Sequence, residues 1–177
     1  MPQERKSEGL LLAKSVADNI TYALLRQLWS FFGVLDPHYE RELVRGAIAR
    51  AKIHTRGGAE PIANLSGGNQ QKALLEKWLL TKPSILLLND VTRGVDIGTK
   101  RLIYALIADI ARNGVAVIWY STDARELVGV VHRVLVMLQG RINEELTGDN
   151  ITVDRIVRAS VVGASLVRGG VDAGAAR

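Results

Sequence analysis

An α/β fold is what the sequence predicts: a helical subdomain, then a parallel-sheet core, then a small C-terminal hairpin. Three observations carry it. Ile85-Leu86-Leu87-Leu88 and Val115-Ala116-Val117-Ile118-Trp119-Tyr120 are short unbroken apolar runs of the kind found in strands buried on both faces. A helical stretch from about Gly98 to Ala111 lies between them, so strand, helix and strand form a parallel βαβ unit. The first sixty residues instead repeat apolar positions at helical spacing.

The elements follow in order. Leu10 to Ala13, Val16, Ile20, Ala23, Leu24, Leu28 and Phe31 predict a first helix, with Trp29 and Phe32 adding bulk and Gly33 and Asp36-Pro37 breaking it. Leu43, Val44, Ile48 and Ala51 share one face of a second helix from about Tyr39 to Lys52, and Arg56-Gly57-Gly58 is a loop. A Gly-Gly turn, Gly67-Gly68, precedes a helical run ending at Thr81-Lys82-Pro83. After the two strands comes a short helix from about Asp123, with Asp123 and Glu126 placed as a capping pair. Gln139-Gly140 joins Arg133–Leu138 to Arg141–Leu146 as a hairpin, and a last short helix near Val153–Val161 precedes a Gly/Ala-rich tail. The expected division is 1–62 helical subdomain, 63–164 core, and 165–177 disordered tail.

Composition narrows the chemistry. The chain has 177 residues, 47% hydrophobic and 23% charged, an ordinary globular balance. It has no cysteine, which excludes disulfides, thiolate metal sites and a cysteine nucleophile. His38, His54 and His132 lie far apart without ligand spacing, so no metal centre of their own is expected, and each reads as a surface or capping residue. The 23 basic and 18 acidic side chains leave +5, spread without a basic block, so nucleic acid is not an expected partner. No apolar run approaches the roughly 20 residues of a membrane span, and no hydrophobic leader follows Met-Pro-Gln-Glu-Arg-Lys. The chain reads as cytosolic.

Two segments carry chemistry. In Leu65-Ser66-Gly67-Gly68-Asn69-Gln70-Gln71-Lys72, two glycines allow close backbone approach and a helix starts beside them. The first amides of a helix lack internal partners and suit a phosphate, with the Ser66 hydroxyl as a further donor. The competing reading is a serine cap with a glycine turn. The second segment is the strand ending Asn89-Asp90, followed by Val91-Thr92-Arg93-Gly94-Val95-Asp96. Polar residues at the carboxyl end of a parallel strand stand where ligands of open α/β sheets bind. The competing reading is a buried strand ending in a polar turn.

Taken in order, these segments resemble the ATP-binding cassette (ABC) ATPases, a P-loop NTPase fold. Asn69-Gln70-Gln71-Lys72 and Thr92-Arg93-Gly94-Val95-Asp96 look like the second cassette of ribose/xylose/galactose-type sugar importers. The resemblance covers residues 2 to about 164 and implies a role for each matching residue. Ser66, Gly67, Gly68, Asn69 and Gln70 match the signature that meets ATP on the opposing cassette. Gly94, Val95 and Asp96 match the D-loop, Gln3 the Q-loop, and Thr122, in Ser121-Thr122-Asp123, the switch loop. Asn89 stands at a Mg²⁺ position and Asp90 where the family polarises the attacking water. ATP and Mg²⁺ are the implied cofactors. A second cassette, a membrane permease and, indirectly, a periplasmic sugar-binding protein are the implied partners, with the chain peripheral on the inner face of the membrane.

The sequence departs from the family in three respects. No Gly-x-x-x-x-Gly-Lys-Ser/Thr occurs among the 177 residues, so the cassette is expected to be truncated ahead of the Q-loop and inactive alone. Asn89-Asp90 replaces the usual Asp-Glu. Val91 replaces the usual Pro, and Thr122 stands where many cassettes carry His, which sugar-type second cassettes often lack. The rival expectation is a catalytically silent, degenerate cassette acting as an interaction module. A DNA-repair or chromosome-organising ATPase ranks last, because no sustained heptad pattern is present.

Overall fold

The structure is a computed structural model that describes residues 1–24 and 36–162. The expectations for Leu28, Trp29, Phe31, Phe32 and Gly33, and for the tail, fall outside the described residues. The fold is mixed helix and sheet, as expected, and divides into two compact units, Met1–Tyr120 and the residues from Ser121 onward.

In the first unit, residues 5–9 make a single π-turn, and the chain then runs extended through Leu10. Helix α1 is Val16–Thr21, continued by a 3₁₀ turn at Tyr22–Leu24. It therefore starts six residues later than the apolar spacing from Leu10 predicts. The cause is a capping box. Ser15 Oγ accepts from the Asp18 N–H at 3.1 Å, and the Asp18 carboxylate accepts from the Ser15 N–H at 3.0 Å, which fixes the helix start. Leu10 is still buried, packed beside Val16 and Ile20 from an extended backbone. Helix α2, Pro37–Arg50, opens with Asp36 as cap and Pro37 in the first turn. His54 lies beyond it in a loop rather than in a helix, its N–H donating to Asn69 Oδ1 at 3.1 Å.

Helix α3, Gly67–Leu79, separates two clusters of apolar side chains. Ala73 and Leu74 join Val16, Ile20, Ala47 and Ile62 on the helical side. Leu75 joins Leu86, Leu88 and the apolar face of helix α4, Ile97–Arg112. Strand β1, Ile85–Asn89, pairs in parallel with β2, Ala116–Tyr120, in the register Ile85↔Ala116 to Asn89↔Tyr120. At its other edge, among the described residues, β1 meets Met1. Met1 N donates to the Leu87 carbonyl at 2.7 Å and the Asn89 N–H donates to the Met1 carbonyl at 3.3 Å.

Among the described residues, only one face of the strands is covered, where their unbroken apolar runs predict cover on both. Leu86 and Leu88 are buried, whereas Ile85, Leu87, Ile118 and Tyr120 are each more than half exposed. In a parallel pair these alternate residues share one face. The described helices pack on the other, so both strands end as half-buried.

The second unit holds a short helix α5, Ala124–Leu127, the antiparallel hairpin β3, Arg133–Leu138, and β4, Arg141–Thr147, and helix α6, Val153–Val161. Gln139 and Gly140 both take positive φ (51° and 76°), as a two-residue turn of right twist for a hairpin requires. Helix α6 packs on β3 and β4, and Asn143 Nδ2 donates to the carbonyls of Ala159 and Val162, closing its C-terminal end. Asp123 caps α5 by accepting from the Arg125 N–H at 3.0 Å, while the Glu126 carboxylate accepts from Ser121 Oγ at 3.0 Å.

Candidate functional site

The expected site residues of the first unit gather at the carboxyl end of β1 and at the start of α3. Asp90 follows the last residue of β1. Its N–H donates to the Tyr120 carbonyl at 2.9 Å, extending the ladder by one bond, and its φ of 44° turns the chain out of the sheet. Aspartate tolerates this left-handed geometry better than most residues. Its side chain is buried, and Oδ2 accepts from Gln3 Nε2 at 3.1 Å, across 87 residues of sequence. Asn89 is exposed beside it. Gln3 and Asp90, assigned separately from sequence, are thus in contact.

At the start of α3, Gly67 and Gly68 are not a turn ahead of the helix but its first two residues. Ser66 is the cap. Its Oγ accepts from the Asn69 N–H at 3.4 Å and from Asn69 Nδ2 at 3.0 Å. Ser66 is exposed, while Gln70 is buried and its Nε2 donates to the Ile62 carbonyl at 3.2 Å. Gln70 therefore braces the segment that enters the helix, and Ser66 stands at the open end.

Gly94, Val95 and Asp96 lead into α4. Val95 is buried, and Asp96 is the exposed cap of the helix. Asp96 Oδ1 accepts from the Thr99 N–H at 2.9 Å and Oδ2 from the Thr99 hydroxyl at 2.7 Å. These two bonds hold the Asp96 carboxyl below the usual aspartate range. Lys72, one turn into α3, is pulled below the usual lysine range by burial, with Asp96 opposing the shift and Lys52 adding to it. Its ammonium donates to the Lys52 carbonyl at 3.0 Å. Thr122 is exposed and belongs to the second unit.

Two residues that the sequence did not place at this site stand here. Arg5 Nε donates to Gln70 Oε1 at 3.3 Å, and Thr99 is the partner of Asp96. A signal for Thr99 was present, because Asp-x-x-Thr at a helix start is a capping pattern. Arg5 had none.

The donor set can be judged from these positions. Asn89 and Asp90 offer oxygen, which suits a hard cation, but among the described residues no three His, Cys, Asp or Glu side chains group closely enough to hold a metal. Magnesium commonly keeps one or two protein oxygens and completes its shell with phosphates and water. The residues present therefore fit one edge of a nucleotide–metal complex.

Solved structures share this fold. A dimeric ATP-binding cassette captured after hydrolysis with ADP and phosphate superposes with a TM-score of 0.65 at 20% identity, over 78% of this chain and 58% of that one. An inward-facing ABC transporter of metal-chelate type superposes with a TM-score of 0.72 at 18% identity, over 84% and 58%. The architecture is that of an ABC ATPase cassette in part. No protein-family model matches the chain. The ribose import ATP-binding protein of Mesorhizobium japonicum is 42% identical over 161 residues, 91% of this chain and 31% of that protein. The xylose import ATP-binding protein of Yersinia pseudotuberculosis is 42% identical over 91% and 32%. Over 91% of its length the chain is thus similar to ABC ATP-binding proteins, and it spans about a third of the length of these curated relatives.

Proposed function

We propose that the chain is the signature-bearing part of the nucleotide-binding subunit of an ABC sugar importer, in which ATP binding and hydrolysis drive carbohydrate across a membrane. The observation that carries this reading is the pairing of Gln3 with Asp90 at 3.1 Å, in a chain related to ribose and xylose import proteins. Ser66, Gly67, Gly68, Asn69 and Gln70 present a capped helix start to ATP on an opposing cassette. The unpaired amides and the Ser66 hydroxyl hold the phosphates there. Gly94, Val95 and Asp96 stand between cassettes, and Thr122 lies in the switch loop. Asp90 orients the attacking water, Gln3 holds Asp90 and senses the phosphate, and Asn89 offers an oxygen to Mg²⁺. The partners are a second cassette and a membrane permease, with a periplasmic sugar-binding protein beyond it. The subunit sits peripherally on the inner face of the membrane. Among the described residues no helix is long and apolar enough to cross it. Residues 1–62 form the permease-facing arm and 63–164 the ATPase core in this reading.

A second reading is supported by one sequence fact: no glycine in the chain is followed by lysine, so no phosphate loop of the Gly-Lys kind is present. Losing one preorganised donor costs about 2.7–4 kcal/mol, or roughly 10²–10³ in rate. A missing cradle removes several donors together. The isolated chain is then silent by itself and acts by completing a partner's site.

Phosphate release and calorimetry on the purified chain test both. Alone, it is expected to show no turnover and to bind ATP more weakly than roughly millimolar. Added to a complete cassette from a ribose importer, it is expected to stimulate hydrolysis, and Ser66→Ala should abolish the gain. Robust Mg-dependent turnover by the chain alone, lost in Asp90→Ala, overturns the silent reading. No stimulation of the complete cassette overturns the signature assignment.

A further inference from the structure

The first two residues of α3 are crowded from two different directions. A methyl group on Gly67 would fall 2.6 Å from Arg5 Nη2. One on Gly68 would fall 2.5 Å from Thr99 Cγ2 and 2.8 Å from Thr99 Oγ1. Arg5 follows Gln3 by two residues, and Gln3 holds Asp90. Thr99 is fixed by both oxygens of Asp96. The start of the signature helix is therefore wedged between the Gln3 segment and the Asp96 turn.

The two sides of the wedge differ in stiffness. Arg5 touches Gly67 with the far end of a long side chain, which can swing aside. Thr99 touches Gly68 with atoms one bond from its Cβ, and a β-branched residue has few rotamers to choose from. Its hydroxyl is further committed to Asp96 Oδ2 at 2.7 Å. Any shift of Asp96 must turn or move Thr99, and Thr99 has no space to move toward α3.

We propose that Thr99 is a positioning residue: locked by Asp96, it sets the stance of the Ser66–Gln70 turn and transmits displacement of the Gly94–Asp96 loop to it. Arg5 makes the looser counterpart from the Gln3 side. The functional weight of this coupling rests on the reading that Ser66–Gln70 meets a nucleotide, but the coupling itself needs no nucleotide to be measured.

The test is residue-resolved amide hydrogen exchange on the intact 177-residue chain without ATP. Thr99→Val keeps the shape and removes the hydroxyl, so exchange at Asn69 and Gln70 should rise by roughly tenfold as well as at Thr99 and Lys100. Thr99→Ser restores the hydroxyl and should bring Asn69 and Gln70 back. Gly68→Ala should disturb both segments, and adding Thr99→Ala should relieve much of that disturbance. Gly67→Ala should only displace Arg5 from Gln70. If Gly68→Ala does not fold, Thr99→Val and Asp96→Asn carry the test. A Thr99→Val effect confined to residues 97–100 means that Thr99 is a cap and nothing more, and the proposal fails while the ATP reading stands. Spread to Asn69 and Gln70 together with no stimulation of a complete cassette sinks the ATP reading and leaves the coupling intact.

Discussion

Helices α3 and α4 flank the same sheet face, but they meet the interior in opposite ways. Helix α4 buries Ile103, Ile107 and Ile110, one stripe at spacings of four and three, and leaves its other faces to solvent. Helix α3 buries Gly68 and then every residue from Gln70 to Lys77, four of them apolar or small and five polar or charged counted from Gly68 onward. One helix rests on the core and the other runs through it. A helix that is buried all round must either be apolar all round or supply a partner for each polar group it takes in. Helix α3 does the second for four of its buried polar side chains: Gln70 reaches Ile62, Lys72 reaches Lys52, Glu76 reaches Arg50 and Lys77 reaches Gly9.

If that contrast is right, truncation should cost most on α3. Leu74 is completely buried between α1 and α2, and Leu74→Ala is expected to lose about 3–5 kcal/mol, because the cavity is enclosed and cannot collapse onto solvent. Ile107→Ala on α4 removes a side chain from a single buried stripe rather than from a helix buried all round, and should cost about 2–3 kcal/mol. Urea unfolding of both variants measures the difference. Equal losses would mean that α4 is as deeply embedded as α3.

The next effect is electrostatic. Glu76 is fully buried, with Arg50 Nη2 at 2.5 Å from Oε2 and Nε at 3.3 Å from Oε1. Burial raises the Glu76 carboxyl above its ordinary value, and the bonds from Arg50 pull it partly back. A raised acid pKa means that the folded protein keeps the proton to higher pH than the unfolded chain does. Stability from this group is therefore fullest below the unfolded value of 4.5 and declines as pH rises through the folded one. Arg50→Ala removes the opposing pull and extends the decline upward. Stripping one partner from a fully buried pair costs about 3–5 kcal/mol, and because the Arg50 side chain is half exposed we expect about 2 kcal/mol near neutral pH. The loss should shrink toward pH 4, where Glu76 is protonated in either state. A loss that is the same at both pH values would show that Arg50 acts by packing alone.

How much of this was legible beforehand follows from the same contrast. Helix α4, the hairpin and α6 announce themselves by apolar period and turn residues, because their buried faces are apolar stripes. Helix α3 was legible as a helix, but not as a buried one, since Lys72, Glu76 and Lys77 are charged residues of the kind that ordinarily face solvent. Their partners lie on other elements, and pairing across 20 to 68 residues leaves no local pattern. The late start of α1 was readable in Ser15-x-x-Asp18 but was masked by apolar Leu10–Leu12. At the candidate site, motif order pointed to Gln3, Ser66, Asp90 and Asp96, whereas contact between Gln3 and Asp90 needed the fold. Arg5 stayed hidden because its contact with Gln70 is set by tertiary packing.

Lys77 gives a smaller test. Its ammonium donates to the Gly9 carbonyl at 3.1 Å and lies 5.2 Å from the Tyr22 ring centre and 5.4 Å from that of Trp78. Burial holds it below the usual lysine range, so the folded state gives up this proton more readily than the unfolded chain and carries a penalty near neutral pH. Lys77→Met removes that penalty but orphans the Gly9 carbonyl, for a net loss of about 1 kcal/mol in urea unfolding. A gain in stability would mean that water reaches Gly9 and that α3 is wetter on this side than its burial implies.

The smallest effect repeats the arginine–carboxylate chemistry on the other helix. Arg112 Nη2 stands 3.4 Å from Asp109 Oδ1 on α4, with side chains 75% and 60% exposed. Both groups keep most of their water, the pair is screened by salt, and holding two long side chains together costs entropy. Arg112 also stands in the last turn, where a cation meets the negative end of the helix. Arg112→Ala should therefore cost no more than about 0.5 kcal/mol, and the loss should fade as salt rises toward molar. Arg50→Ala and Arg112→Ala each delete a guanidinium bonded to a carboxylate. Arg50, however, makes two bonds to a buried Glu76 on another helix, whereas Arg112 makes one long bond to an exposed Asp109 on its own. If Arg112→Ala cost as much as Arg50→Ala, depth would not be what separates the two helices.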